Sequence, residues 1–165
     1  MKLAALQMIS GPTVTQNLDT ATRLIKQAAA AGAQLAVLPE YFPLIGASDA
    51  ERLAAREIID HGPIQDFLST MARQYALWLV GGSLPLMSNN PAKMRNTCLV
   101  FNPQGERIAR YDKIHLFGFH KGNEHYDEAA TIEAGNQVVT CDTPLGRMGL
   151  SICYDLRFAE LYRRM

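Results

Sequence analysis

The stretch "GLSICYDLRF", from Gly149 to Phe158, joins a short apolar run to a charged segment with helical character. Such a run is typical of a buried strand, and the charged residues after it predict a helix that begins beside Cys153. A cysteine at this junction is either a nucleophile held at the end of a strand or the last apolar residue of a core. The rest of the chain has to decide between these two roles.

Strands and helices alternate upstream of this junction. We predict strands at residues 2–8, 33–40 and 77–83, and helices at residues 17–31, from the Ser48-x-x-Glu51 capping box to about Ile59, and from Gly62-Pro63 to Tyr75. The order of elements predicts an α/β fold in which helices cover a sheet.

The second half of the chain is richer in strands. "NTCLVF" and "ERIARY" flank the turn Asn102–Gly105 and predict a hairpin. Residues 112–136 lack periodicity and are predicted to form a long loop with a short helix near Asp127. "QVVTCDT" and "RMGLSIC", joined by "PLG", predict two more strands.

Composition excludes several classes of protein. The 165 residues suffice for one domain, with 48% hydrophobic and 19% charged residues. Lys plus Arg equals Asp plus Glu at 16 each, so no net charge favours nucleic acid or an anionic membrane. The apolar run at the N-terminus is too short for a signal peptide or a membrane span. We expect no membrane association and no nucleic-acid partner.

The cysteines and glycines suggest neither a disulfide framework nor a cofactor site. Cys98, Cys141 and Cys153 form no CxxC pair, which favours a reducing cytoplasm and argues against structural zinc. Gly81-Gly82 is too brief for a phosphate-binding loop. We therefore predict no metal and no cofactor.

Reactive side chains stand at the ends of three predicted strands: Glu40 in "LPEYF", Lys113 in "YDKIHLF" and Cys153 in "ICYDLRF". Ligand crevices form at strand ends in open α/β sheets, so the three side chains are candidates for one site. Taken singly, each is more often a surface charge or an inert core thiol.

Together, "AVLPEYF", "RYDKIHLF" and "GLSICYDLRFAEL" resemble the nitrilase superfamily of carbon–nitrogen hydrolases, and most of all its branch of ω-amidases and deaminated glutathione amidases. The resemblance implies a four-layer α-β-β-α sandwich and a Glu-Lys-Cys triad of Glu40, Lys113 and Cys153. It also implies a further acidic residue, for which "YDEAATIEAG" supplies Glu128.

The implied reaction hydrolyses a small aliphatic amide, such as an ω-amide of a 2-oxo acid or deaminated glutathione, to acid and ammonia through a cysteinyl thioester. By resemblance Cys153 is the nucleophile and Glu40 the base, while Lys113 and the backbone N–H of Tyr154 stabilise the oxyanion. Glu128 would orient Lys113. A helix after Cys153 would favour the thiolate, and Glu40→Gln would leave a thiol that is slow to alkylate.

The resemblance also implies a longer domain, of which residues 1–165 would be the N-terminal part, so we expect the sandwich to be incomplete at its C-terminus. The family expectation is a homodimer. An alternative to the amidase is a truncated, inactive relic or pseudoenzyme, or an interaction protein.

Other interpretations stay open. His115, His120 or His125 could activate Cys153, or the three histidines could bind a metal, although no acidic or cysteine pattern accompanies them. Cys98, Cys141 and Trp78 are interpreted as packing. Three charged residues after the nucleophile are expected to have orienting or interface roles: Asp155, Arg157 and Glu160.

Overall fold

The computed structural model describes residues 2–46 and 48–165. The described strands are β1 (Leu3–Ala5), β2 (Leu35–Val37), β3 (Trp78–Val80), β4 (Leu84–Met87), β5 (Met94–Phe101), β6 (Arg107–Asp112), β7 (Gly118–Lys121), β8 (Glu124–Asp127), β9 (Thr140–Thr143) and β10 (Gly146–Gly149). The described helices are α1 (Val14–Ala30), α2 (Asp49–Ala54), α3 (Pro63–Tyr75) and α4 (Ala159–Arg163), with 3₁₀ turns at Glu128–Ala130 and Cys153–Arg157.

The main sheet has six strands and mixed direction. β1, β2 and β3 run parallel to one another, and the long strand β5 pairs antiparallel with β3. β4 follows β3 along the same edge of β5, and β6 pairs with the opposite edge. The predicted β5–β6 hairpin is therefore confirmed.

Both faces of this sheet are buried, because neighbouring residues of β2 pack into different cores. Ala36 belongs to a core between the sheet and helices α1 and α3. Leu35 belongs to a second core, which contains Leu150 and Ile152 and contacts Cys141. The antiparallel β9–β10 hairpin thus lies over the face opposite the helices. This α-β-β layering agrees with the predicted sandwich.

The second predicted helix is shorter than expected. The capping box between Ser48 and Glu51 is present, but α2 ends at Ala54. The backbone of Glu57 is instead extended and hydrogen-bonds β4. Its buried carboxylate accepts the N–H groups of Ile64 and Gln65 at 2.6 and 3.1 Å. Capping the first turn of α3 in this way requires an extended backbone at residue 57, so the helix has to stop earlier.

The sequence analysis missed two segments that form paired strands. The first is β4, which contains Pro85, and a proline argues against a strand. The predicted loop at 112–136 contains the β7–β8 hairpin, with Gly122 at φ +60° in its turn. Every residue of both hairpin strands is exposed, so no apolar alternation marks them. The short helix predicted near Asp127 is the 3₁₀ turn Glu128–Ala130.

Candidate active site

Four predicted side chains lie at the ends of four separate segments. Glu40 follows β2, Lys113 follows β6, Glu128 opens the 3₁₀ turn after β8, and Cys153 opens the turn after β10. The structure brings these segments to one end of the main sheet, although they are far apart along the chain.

Lys113 occupies the centre of the group. Its side chain is buried, and its Nζ lies 3.0 and 2.9 Å from the two carboxylate oxygens of Glu128 and 3.4 Å from Oε1 of Glu40. Burial lowers the pKa of Lys113, but the hydrogen bond with Glu128 and the charges of both glutamates outweigh it and raise the pKa above its ordinary value. The ammonium is therefore held charged in a buried position.

Glu128 is itself fixed by the backbone. Its Oε2 accepts the N–H of Phe117 at 2.7 Å, and its own N–H donates to the carbonyl of Phe117 at 2.9 Å. Glu128 is 7% exposed. A buried carboxylate with a backbone donor and an ammonium as partners is well satisfied, and it holds Lys113 in one place.

Asn96 on β5 completes the group, and the sequence analysis missed it. Its side-chain Nδ2 donates to Oε1 of Glu40 at 2.9 Å, and its backbone carbonyl accepts the backbone N–H of Lys113 at 2.9 Å. Asn96 is buried in β5, where it directly precedes Thr97 and the apolar run of residues 98–101. An amide at such a position was the available signal, because buried polar groups need partners.

Gly82 allows the loop of Glu40 to pack against the sheet. Its φ is +53°, and a Cβ on it would overlap the carbonyl oxygen of Pro39. The neighbouring Ser83 Oγ accepts the N–H of Tyr41 at 3.0 Å. These contacts fix the backbone on both sides of Glu40.

Cys153 sits on a left-handed turn, with φ +51°. A non-glycine residue in this region is uncommon and is found where a side chain is presented for function. The residue is exposed, and its thiol is free. It borders a cavity of about 250 Å³ that Glu40, Gly82 and the apolar side chains of Val80 and Leu150 also line.

The pKa of the Cys153 thiol is shifted in the direction opposite to the one we predicted. Partial desolvation of the sulfur, the negative charge of Glu40 and a hydrogen bond to that carboxylate raise the pKa of Cys153, and the nearby Lys113 lowers it only in part. A 3₁₀ turn replaces the expected long helix, and α4 begins only at Ala159. The expectation of a helix-favoured thiolate is therefore wrong. The slow alkylation of Glu40→Gln stays a prediction, and the carboxylate, which opposes ionisation of the thiol, favours the opposite outcome.

The three histidines of the loop contact residues other than Cys153. His115 Nδ1 is 2.7 Å from Oδ1 of Asp155, and its ring stacks on Phe158. His120 and His125 face each other across the β7–β8 hairpin. Within residues 2–46 and 48–165, no three His, Cys, Asp or Glu side chains are grouped so that they could hold a metal ion.

The remaining predicted packing residues take these positions: Cys98 is buried, and Trp78 and Cys141 are partly buried against the second core. The ring of Tyr154 packs edge-on against Phe117, with centroids 5.1 Å apart. The oxyanion role of its N–H stays a prediction. Arg157 and Glu160 are exposed.

Comparison with known proteins identifies the class that this fold and site define. The carbon-nitrogen hydrolase family matches residues 2–165, and the chain belongs to that family. It is similar to the deaminated glutathione amidase of Synechocystis (40% identity over 97% of this chain and 60% of the relative). It is also similar to omega-amidase NIT2-A of Xenopus laevis (36% identity, 97% of this chain and 57% of the relative).

Among solved structures, the NitFhit protein of C. elegans superposes with a TM-score of 0.86 at 33% identity, covering 96% of this chain and 39% of that one. The fold is therefore the nitrilase fold, as predicted. The chain spans 57–60% of the length of the two curated relatives just described. No helix among the described residues is long and apolar enough to cross a membrane.

Proposed function

We propose that the chain is an amidase that hydrolyses a small aliphatic amide to a carboxylic acid and ammonia. One observation carries the proposal: Lys113 Nζ lies within hydrogen-bonding reach of Glu40 and Glu128, and Glu40 and Cys153 line the same cavity. A nucleophile, a base and a fixed cation at one site are the groups that acyl transfer needs.

In the first half of the reaction, the Cys153 sulfur attacks the amide carbon as Glu40 takes the thiol proton. Because the pKa of the thiol is raised, ionisation of the resting thiol is disfavoured, and the base acts at the moment of attack. Lys113 and the N–H of Tyr154 stabilise the oxyanion. The C–N bond then breaks, Glu40 returns the proton to nitrogen, and ammonia leaves behind a thioester.

In the second half, water attacks the thioester carbon while Glu40 takes a proton from it. The C–S bond breaks, the sulfur regains that proton, and the acid leaves. Glu128 touches no reacting atom in this scheme. It acts through its two contacts with Lys113, which it keeps charged and oriented.

The names of the relatives support a substrate class. Their names are deaminated glutathione amidase and omega-amidase, so we propose ω-amides of 2-oxo acids, including deaminated glutathione. We further propose that residues 1–165 form the N-terminal part of one hydrolase domain that assembles as a homodimer. Three free thiols fit a reducing compartment such as the cytoplasm.

The test measures ammonia released from a panel of amides by the purified chain, by Cys153→Ala and by Cys141→Ala. Cys141 is a partly buried thiol outside the cluster, which makes it a matched control. We expect Cys153→Ala to abolish release and Cys141→Ala to preserve it. A folded chain whose Cys153 is alkylated by iodoacetamide, but which releases no ammonia from any amide, would favour the inactive alternative.

A further inference from the structure

Asp155 is the most enclosed acidic side chain near the nucleophile, with no exposed surface. Its Oδ2 accepts the N–H of Ile152 at 2.9 Å and the hydroxyl of Tyr111 at 2.5 Å. Its Oδ1 accepts the N–H of His115 at 2.9 Å and lies 2.7 Å from Nδ1 of the same residue. One carboxylate therefore has four partners, which is about its full capacity.

These partners come from two segments that the reaction has to keep together. Ile152 immediately precedes Cys153, whose φ of +51° needs an outside constraint to persist. Tyr111 and His115 stand two residues before and two residues after Lys113. The hydroxyl of Tyr111 also accepts the N–H of Ile114 at 3.3 Å, which extends the connection along the lysine segment.

We propose that Asp155 is a positioning residue: its carboxylate ties the turn that presents Cys153 to the segment that presents Lys113, and so sets the separation of sulfur and ammonium. The proposal rests on the function proposed above for its catalytic meaning. Asp155 touches no reacting atom.

The charge state of this side chain matters as well as its shape. All four partners present a hydrogen or a ring nitrogen to the carboxylate, so an amide at this position would turn an N–H₂ group toward at least one donor. An Asn keeps only one oxygen, which can serve either Ile152 and Tyr111 or His115, but not all of them. The connection would then loosen at His115, or at Ile152 and Tyr111, at the cost of an unsatisfied buried group.

The experiment compares Asp155→Asn with the wild-type chain by two measurements. The first is the rate of Cys153 alkylation by iodoacetamide as a function of pH, read by mass spectrometry of the peptide that carries Cys153. The second is kcat and KM for amide hydrolysis. Asp142→Asn makes the same chemical change at an exposed position of β9 and serves as the control.

We expect Asp155→Asn to move the alkylation profile to lower pH, because the sulfur leaves its desolvated position beside Glu40. We expect kcat to fall about 100-fold with KM little changed, since small displacements of reacting groups have effects of that size. Asp142→Asn should match the wild type in both measurements. A folded Asp155→Asn chain with an unchanged alkylation profile and kcat within twofold of wild type would overturn the proposal.

If Asp155→Asn does not fold, the same two measurements on Tyr111→Phe test the positioning role of Asp155. This variant removes one donor and keeps the carboxylate charge, so a shifted alkylation profile cannot arise from loss of that charge. We expect a smaller shift in the same direction and a several-fold lower kcat; an unchanged profile and kcat would refute the positioning role. The alkylation measurement works even in a chain that releases no ammonia, so failure of the proposed function would be distinguishable.

Discussion

At the scale of the residue, the chemistry of the site depends on opposed charges around one sulfur. Desolvation and the charge of Glu40 raise the pKa of Cys153, and Lys113 lowers it in part. The resting thiol therefore ionises less readily than a free thiol. We expect reactivity toward an alkylating agent and reactivity toward an amide to depend on Glu40 in opposite ways.

Glu40→Gln should separate these two reactivities. Removing the carboxylate charge lowers the pKa of the thiol, so alkylation of Cys153 near pH 8 becomes faster. Amide hydrolysis loses its base, and we expect turnover to fall by about 10²–10⁴-fold. Both rates are measured on the same preparation.

Glu106→Gln, in the exposed turn between β5 and β6, is the matched control and should change neither rate. Slower alkylation of Glu40→Gln would show that the carboxylate promotes ionisation of the resting thiol, contrary to the electrostatics described here.

At the scale of the element, the site depends on how the loop after β2 meets the junction of β3 and β4. Gly82 permits the contact with Pro39, and Ser83 holds Tyr41. The sequence analysis placed Gly82 and Ser83 at the end of the strand predicted at residues 77–83, and interpreted Gly81-Gly82 as too brief for a phosphate-binding loop; the strand instead ends at Val80. Its actual role, the close approach of two backbones beside Glu40, follows from the pairing of β2 with β3 and is not visible in a local pattern.

Gly82→Ala and Gly122→Ala form a matched pair for this contact. Both glycines have positive φ, +53° and +60°, so both variants incur about 1–2 kcal/mol of backbone strain. Only at residue 82 does the new methyl group overlap a carbonyl oxygen, since nothing lies within 4 Å of a Cβ at residue 122.

We expect Gly82→Ala to lower the free energy of unfolding by a further ~1–3 kcal/mol and to reduce amide turnover. Chemical denaturation of both variants measures the difference. If both variants lose the same free energy of unfolding, the loop that carries Glu40 can move away from the new methyl group without a loss of stability.

At the scale of the whole molecule, Lys113 contributes to the proposed reaction and also to the stability of the fold. It is buried between two carboxylates for which it supplies the positive charge. Lys113→Met should abolish turnover and lower the free energy of unfolding by about 3–5 kcal/mol at neutral pH. The pKa of Lys113 is raised in the folded state, so its contribution is fully present below the ordinary value of 10.5. It is lost as pH rises through the higher folded value.

The difference in unfolding free energy between the wild type and Lys113→Met should therefore be constant from pH 7 to 9 and shrink in more alkaline solution. Urea denaturation at a series of pH values measures this difference. A difference that grows with pH would contradict a raised pKa for the buried ammonium.

Much of the fold could be read from local patterns. The apolar stripes of α1 and α3, the β5–β6 turn and the buried runs of β2 and β5 all have periods that a strand or a helix explains directly. The β7–β8 hairpin could not be read in this way because its strands bury no face, and α2 was overextended because the capping role of Glu57 lies in another helix.

By itself, the sequence determined the class of fold, the family and the side chains that meet at the site: Glu40, Lys113, Glu128 and Cys153. Apolar periodicity indicated the class of fold, whereas the family and these four residues came from the resemblance of short local segments to a known family. Taken singly, each residue is more often a surface charge or an inert thiol. The tertiary structure decided the surroundings of those groups: the desolvation and negative charge that raise the pKa of Cys153, the hydrogen bond from Asn96 to Glu40, and the four contacts of the neighbouring Asp155. Charge, desolvation and hydrogen bonding act across space, and their balance exists only when distant segments are packed together.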